Sequence, residues 1–124
     1  MDIINENIPI FAKIAEGIKD SILSGNSKEG EQISSTTQIS KEYGINIATV
    51  NKGINVLVSE GILFKKRGIG MFVSEGAVEK LINERRKTFN ERYIIATLTE
   101  AKRLRYSIEE LQEMVAEAYK SLES

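Results

Sequence analysis

Ser35-Thr-Thr-Gln38-Ile39-Ser-Lys-Glu-Tyr43-Gly44-Ile45-Asn46-Ile47-Ala48-Thr49-Val50-Asn51-Lys52-Gly-Ile54-Asn-Val-Leu57-Val58-Ser59-Glu60-Gly61 is the stretch on which the fold turns. Ser35 with Gln38 is a capping box, in which the serine hydroxyl accepts from the N–H three residues on and the glutamine reaches back. The short helix so opened is expected to carry Ile39 and Tyr43 inward and to stop at Gly44. Ile45 is then an apolar turn residue, Asn46 a good N-cap, and Ile47 to Ser59 a second helix closed by Gly61. Two helices joined by a three-residue turn containing glycine make a helix-turn-helix.

The flanking sequence completes the unit. Pro9 and the recurrence of Phe11, Ile14, Ile18 and Ile22 predict a first helix, with Gly25 at its end. Residues 26–33 are polar around Gly30 and read as a loop. Val50, Ile54, Leu57 and Val58 are expected to share a core with Ile39 and Ile14. After Gly61 the period changes. Ile62-Leu63-Phe64 and Met71-Phe72-Val73 are β-prone runs around Lys65-Lys66-Arg67-Gly68-Ile69-Gly70, which predicts a hairpin with a basic, glycine-bearing tip.

From Gly76 onward the pattern is helical. Val78, Leu81, Ile82, Phe89, Tyr93, Thr97, Ala101 and Leu104 lie along one stripe of a helix expected to run to about Arg105. Ser107-Ile-Glu-Glu110 is another capping box. Behind it Ile108, Leu111, Val115, Ala118 and Leu122 recur at the spacing of a seam that packs on another helix. The expected fold is mainly α with a small β-hairpin. A winged helix-turn-helix domain occupies residues 1–75 and a two-helix C-terminal dimerisation tail residues 76–124.

Composition excludes several function classes. At 124 residues the chain has room for one compact domain plus an appendage or for one domain alone, and 41% hydrophobic with 28% charged residues argues against disorder. No run approaches the roughly 18 apolar residues of a membrane span. Met1 to Glu6 lack a signal peptide's basic stretch and apolar core, so a cytoplasmic location is expected, with no membrane partner. Cysteine and histidine are absent, which removes ordinary zinc sites, thiol chemistry and imidazole bases. The acidic residues sit on helical faces beside Lys and Arg, where they solvate a surface. No enzyme activity, cofactor or metal is expected.

The net charge is −1, but its distribution matters more. From Lys41 to Val73 five bases face only Glu42 and Glu60, a local +3, whereas residues 75–124 hold nine bases and ten acids. Positive charge thus gathers on the helix-turn-helix and hairpin. The B-form major groove admits one α-helix, whose N-terminal residues reach the base edges. Double-stranded DNA is therefore the expected partner. Candidate contacts are Asn46, Ile47, Ala48, Thr49, Asn51 and Lys52 on the second motif helix. Lys66, Arg67, Gly68 and Gly70 supply the hairpin tip. Asn46 is first of all a cap. Ile47 is either core or aimed at a thymine methyl, and Thr49 either touches DNA or fills exposed surface. Lys65 to Arg67 could merely solubilise a strand edge, but the glycine frame favours a wing over the neighbouring backbone. The apolar stripes after residue 76 are core or dimer seam; a second copy of the chain is the other expected partner, which would place Phe89, Tyr93, Leu111, Val115, Ala118 and Leu122 at the dimer interface. Two helices leave little room for an enclosed effector pocket of about 300 Å³ or more, and a site at the dimer junction stays open.

Pro9-Ile10-Phe11, Gly30 before Ile33, Ser35, Asn46 to Val50, Leu57-x-x-Glu60-Gly61-Ile62 and Arg67-Gly68-x-Gly70-x-Phe72-Val73 together resemble the GntR family of bacterial regulators over roughly residues 8–74. Glu100-Ala-Lys-Arg-Leu104 leading into Ser107-x-Glu-Glu-Leu111 is similar to the YtrA-type subfamily, whose tail is two dimerising helices instead of a large ligand domain. The resemblance implies a homodimeric repressor on a pseudo-palindromic operator, with DNA contacts from Ser35 and Thr37 at the start of the first motif helix, and the subfamily often regulates transporter genes. Three departures stand out. Thr37 replaces an arginine that commonly touches DNA, Ile47 replaces Arg or Pro, and Asn51 holds a position where many members carry a base. Together they predict weaker salt-sensitive binding and an A·T-rich half-site. Arg105 stands where relatives often have the helix-ending glycine, which predicts a turn that is strained or shaped differently. A winged helix used only for protein contacts is the alternative, and salt-dependent binding to any duplex separates the two.

Overall fold

The first three helix starts in the computed structural model, which describes residues 7–123, each have a local cause. Residues 1–6, on which the missing signal-peptide pattern rests, and Ser124 lie outside the described residues. Helix α1 (Ile10–Leu23) follows Pro9, whose carbonyl accepts from the N–H groups of Ala12 and Lys13 at 3.0 and 3.1 Å. Helix α2 (Thr36–Tyr43) opens with the expected capping box, both bonds being 3.1 Å, and closes on left-handed Gly44. Helix α3 (Ile47–Ser59) is capped by Asn46, whose side chain accepts from the Ala48 N–H at 2.8 Å.

Strands β1 (Leu63–Lys66) and β2 (Gly70–Val73) pair antiparallel with Leu63 opposite Val73 and Lys66 opposite Gly70. Part of the segment read as a loop pairs with β2. The Gly30 N–H donates to Val73 O at 2.8 Å, Val73 N–H to Glu31 O at 2.9 Å, and Ile33 N–H to Met71 O at 3.0 Å. A polar run of this length around a glycine has no alternation to betray the pairing. Helix α4 (Ala77–Phe89) follows, then a π-helical stretch (Asn90–Ile95), α5 (Ala96–Arg103) and α6 (Ile108–Leu122). Among the described residues no helix is long and apolar enough to cross a membrane.

The chain divides into two compact units, one ending at Arg85 and one beginning at Arg86. In the first, Ile22, Val50, Leu57, Ile62, Leu63, Val73 and Leu81 are fully buried, joined by Ala15, Ile39, Ile54 and Ala77. Helices α1 and α3 cross so closely that a Cβ on Gly53 would lie 2.7 Å from the Phe11 carbonyl oxygen. Lys19 is buried between Glu84 at 2.9 Å and Glu60 at 3.2 Å. Burial penalises its charge, yet the two carboxylates outweigh that and raise its pKa above the ordinary lysine value.

Tyr43 departs from the reading, being 67% exposed instead of inward. The left-handed turn at Gly44 folds Ile45 back, its N–H bonding Ser40 O at 3.1 Å, and Ile39 and Ile45 together cover α2's side of the core. Tyr43 is left on the rim.

The second unit is helical. The π-helical stretch interrupts the register of the long helix, so Ile94, Ile95 and Leu98 join Phe89, Tyr93 and Leu104 among the exposed apolar residues instead of one regular stripe. The helix closes where Arg105 takes φ 64°, the only non-glycine positive φ among the described residues. Here the strain read from the sequence is present. Ser107 and Glu110 cap α6 through bonds of 3.1 and 2.9 Å.

Candidate nucleic-acid interface

Helix α3 spends one face on the core, burying Val50, Gly53, Ile54 and Leu57, and turns its opposite face and first turn outward. Asn46, Ala48, Asn51 and Lys52 are exposed, Thr49 is half-buried, and Ile47 is 46% exposed. The core alternative for Ile47 is therefore excluded, and an apolar side chain stands beside polar ones at the helix start. The Asn46 side chain is spent partly on the cap. The Lys52 ammonium lies 4.2 Å from the Phe11 ring centroid, which holds it against α1.

The start of α2 reaches the same surface. Thr37 is exposed, and the Ser35 hydroxyl is engaged in the capping box. Thr36, which the sequence reading passed over, donates its hydroxyl to Asn51 Oδ1 at 3.1 Å. That bond leaves the Asn51 amide hydrogens and a second lone pair on Oδ1 for another partner. Fifteen residues separate the two, so no local spacing signals the contact.

The hairpin tip is built from both glycines and one residue outside the hairpin. Gly68 has φ 77°, and the Ile69 N–H donates to Lys66 O at 3.0 Å. At Gly70, φ is 146° and a Cβ would sit 2.5 Å from the Gln32 amide nitrogen. Gln32 needs that space because its amide donates to Ile69 O at 2.9 Å. It is a second residue the sequence reading missed, hidden in the supposed loop. Below the tip, Phe64 and Phe72 stack with centroids 5.8 Å apart, and the Lys66 ammonium lies 4.3 Å from the Phe72 ring. Arg67, at the turn, is exposed. Among the described residues no group of three or more acidic residues is placed to hold a metal ion.

This geometry offers an exposed helix start, two helix N-termini whose dipoles favour phosphate, and a basic tip buttressed by Gln32. The profile of the bacterial regulatory proteins of the gntR family matches residues 11–73. The HTH-type transcriptional repressor NagR of Bacillus subtilis (strain 168) is 32% identical over 75 residues, 60% of this chain and 31% of the repressor. The chain thus spans about a third of that curated relative's length. A transcriptional regulator of the GntR family from Bacteroides thetaiotaomicron has a similar structure, with a TM-score of 0.67 and 31% identity over 92% of this chain and 99% of that one. The DBD of AraR in complex with operator ORE1 superposes with a TM-score of 0.53 at 30% identity, covering 54% of this chain and 82% of AraR's. Residues 11–73 form a winged helix-turn-helix of this kind, and the chain belongs to the gntR family of bacterial regulatory proteins.

Proposed function

We propose that this chain is a sequence-specific transcription repressor of the YtrA type, acting in the cytoplasm as a homodimer on a pseudo-palindromic operator. The observation that carries the reading is the exposed first turn of α3, Asn46 to Asn51, held on a buried scaffold beside a basic wing. Relatives named as repressors and the AraR–operator complex support it. The match to the Bacteroides regulator over nearly all of this chain supports a helical tail after the winged helix.

Lys52, Lys66 and Arg67, with the backbone at Gly68 and Gly70 and the α2 start at Ser35 and Thr37, position the protein on phosphates, contacts that carry no sequence information. Ile47, Ala48, Thr49 and Asn51 face the bases. Pairing through the tail sets two recognition helices about one helical turn, ~34 Å, apart, and occupancy blocks transcription by occlusion. No catalytic step is assigned to any residue.

A selected-sequence profile tests this reading. Asn51 keeps a donor and an acceptor, the pair that matches adenine N6 and N7, while Ile47 and Ala48 offer only apolar contact to a thymine methyl. The wild-type half-site should be A·T-rich, with about 1–3 kcal/mol of discrimination opposite Asn51. Asn51→Ala should relax one base pair, and Asn51→Arg should move it toward guanine. A half-site dominated by G·C, or both variants keeping the wild-type profile, would sink this assignment of the helix.

A further inference from the structure

Helix α6 has both ends of a stable helix and almost nothing to lean on. It spans 15 residues, and only Leu111 among them is not exposed. Val115, Tyr119 and Leu122 are 64%, 69% and 84% exposed. A lone helix of about 12–15 residues is marginal in water, so α6 needs a surface from elsewhere. The rest of the second unit also exposes apolar residues, among them Phe89, Tyr93, Ile94 and Leu98.

Charge says which surface meets which. Residues 86–105 hold six bases (Arg86, Lys87, Arg92, Lys102, Arg103, Arg105) against Glu91 and Glu100, a net +4. Residues 107–123 hold five acids (Glu109, Glu110, Glu113, Glu117, Glu123) against Lys120, a net −4. On α6, Glu110, Glu113 and Glu117 surround Tyr106 and Met114 in a shallow acidic groove. Pairing α6 with a second α6 would set −4 against −4, and pairing the long helix with itself would set +4 against +4. Only a crossed arrangement unites opposite signs.

Resting on the homodimer reading above, we infer that α6 of each copy packs on the basic helix 86–105 of the other, reciprocally about a two-fold axis. The apolar seam of Leu111, Val115 and Leu122 supplies the burial. The opposed charges select the crossed pairing over the two parallel ones, because like charges juxtaposed in an interface are strongly unfavourable.

Two full-length variants test the crossing. In one, Glu113→Lys, Glu117→Lys and Glu123→Lys turn α6 from −4 to +2; in the other, Arg86→Glu, Lys87→Glu and Lys102→Glu turn the long helix from +4 to −2. All six positions are exposed, and circular dichroism at 222 nm checks that helix content survives. In sedimentation velocity each variant alone should dimerise at least about tenfold more weakly than wild type, and a 1:1 mixture should recover a tight heterodimer. Glu113→Gln, Glu117→Gln and Glu123→Gln together should weaken dimerisation less and flatten its salt dependence, even where the reversals disturb α6. A long-helix variant that dimerises like wild type would show α6 pairing with α6. Dimerisation as tight as wild type by both variants, or no heterodimer on mixing, would equally overturn the crossing. A wild-type chain that sediments as a monomer throughout would instead overturn the homodimer reading on which the crossing rests.

Discussion

The two units of this chain treat similar apolar patterns in opposite ways. In the first, ending at Arg85, Val50, Leu57, Val73, Ala77 and Leu81 are 0% exposed, and even a lysine is enclosed between two carboxylates. In the second, beginning at Arg86, Ala101 is the one buried residue among those described, while a dozen large apolar side chains from Phe89 to Leu122 face outward. Both carry helical periodicity and capping boxes. The difference is that the first unit supplies its own second layer, in α1 against α3 and the hairpin, whereas the second has helices without one. Periodicity therefore reports that a helix face needs covering, not which chain covers it.

Substitutions that separate folding from assembly give the largest contrast. Leu57→Ala removes fully buried side-chain volume from the core of the first unit, at about 2–5 kcal/mol in urea unfolding. Leu111→Asp with Val115→Asp should leave that unfolding transition in place while placing charge in the proposed dimer seam. Analytical ultracentrifugation should then show a monomer with operator binding lost. A variant that remains fully dimeric would remove α6 from the interface, and one whose winged helix also unfolds would erase the contrast itself.

Next in size is the enclosed lysine. Lys19 is 6% exposed, and its charge is balanced by Glu60 and Glu84, which are themselves half open to solvent. Glu60→Gln with Glu84→Gln leaves a buried ammonium without opposite charge. The expected cost is about 2–3 kcal/mol, below the usual range for breaking a buried pair because the lysine can reach toward water. No pair of comparable burial exists among the described residues of the second unit, where Arg103–Glu100 is fully solvated at 3.4 Å. Reversing the latter should change stability by no more than about 0.5 kcal/mol.

Two helix ends show what could be read from the sequence and what could not. Gly61 ends α3 and Arg105 ends α5, with the same pair of closing bonds. Gly61 N–H donates to Val58 O at 3.0 Å and Ile62 N–H to Leu57 O at 2.9 Å, as Arg105 N–H does to Lys102 O and Tyr106 N–H to Ala101 O, both at 3.1 Å. Glycine announces such an end, and so Gly25, Gly44 and Gly61 placed three boundaries correctly. Arginine announces nothing by type, and only the resemblance, in which a glycine often ends the helix at this position, pointed to the turn. The caps, the helix-turn-helix and the hairpin were legible because each rests on residues a few positions apart. Thr36 with Asn51, Gln32 with Ile69 and Tyr43's exposure were not, because each depends on segments brought together only by the fold. Gly61→Ala should cost about 1–2 kcal/mol, and Arg105→Gly should gain up to about 1 kcal/mol in a melt followed by circular dichroism. A destabilised Arg105→Gly would mean that the arginine side chain contributes more than its backbone strain costs.

The smallest effect is carried by two glutamates that cap helices in the two units by different routes. The Glu29 carboxylate accepts from the N–H groups of Gly76 and Val78 at 2.9 and 3.0 Å, clamping the start of α4 to a loop 47 residues earlier. Glu110 accepts from the Ser107 N–H at 2.9 Å within its own capping box. The Gly76 and then the Val78 bond hold the Glu29 pKa below 4.5, and the bonds to the Ser107 backbone and hydroxyl do the same for Glu110. A lowered folded-state pKa means that each contribution is complete above 4.5 and disappears as pH falls through the lowered value. Glutamine still serves in a capping box, so Glu110→Gln should change stability little at neutral pH. Glutamine at 29 offers one acceptor where two N–H groups converge, so Glu29→Gln should lower the urea midpoint at pH 7. In acid below that lowered pKa the wild-type carboxyl has lost its own charge, and the gap between wild type and Glu29→Gln should shrink. A gap of equal size at both pH values would show that the Glu29 clamp does not depend on its charge, and would leave the two caps physically alike.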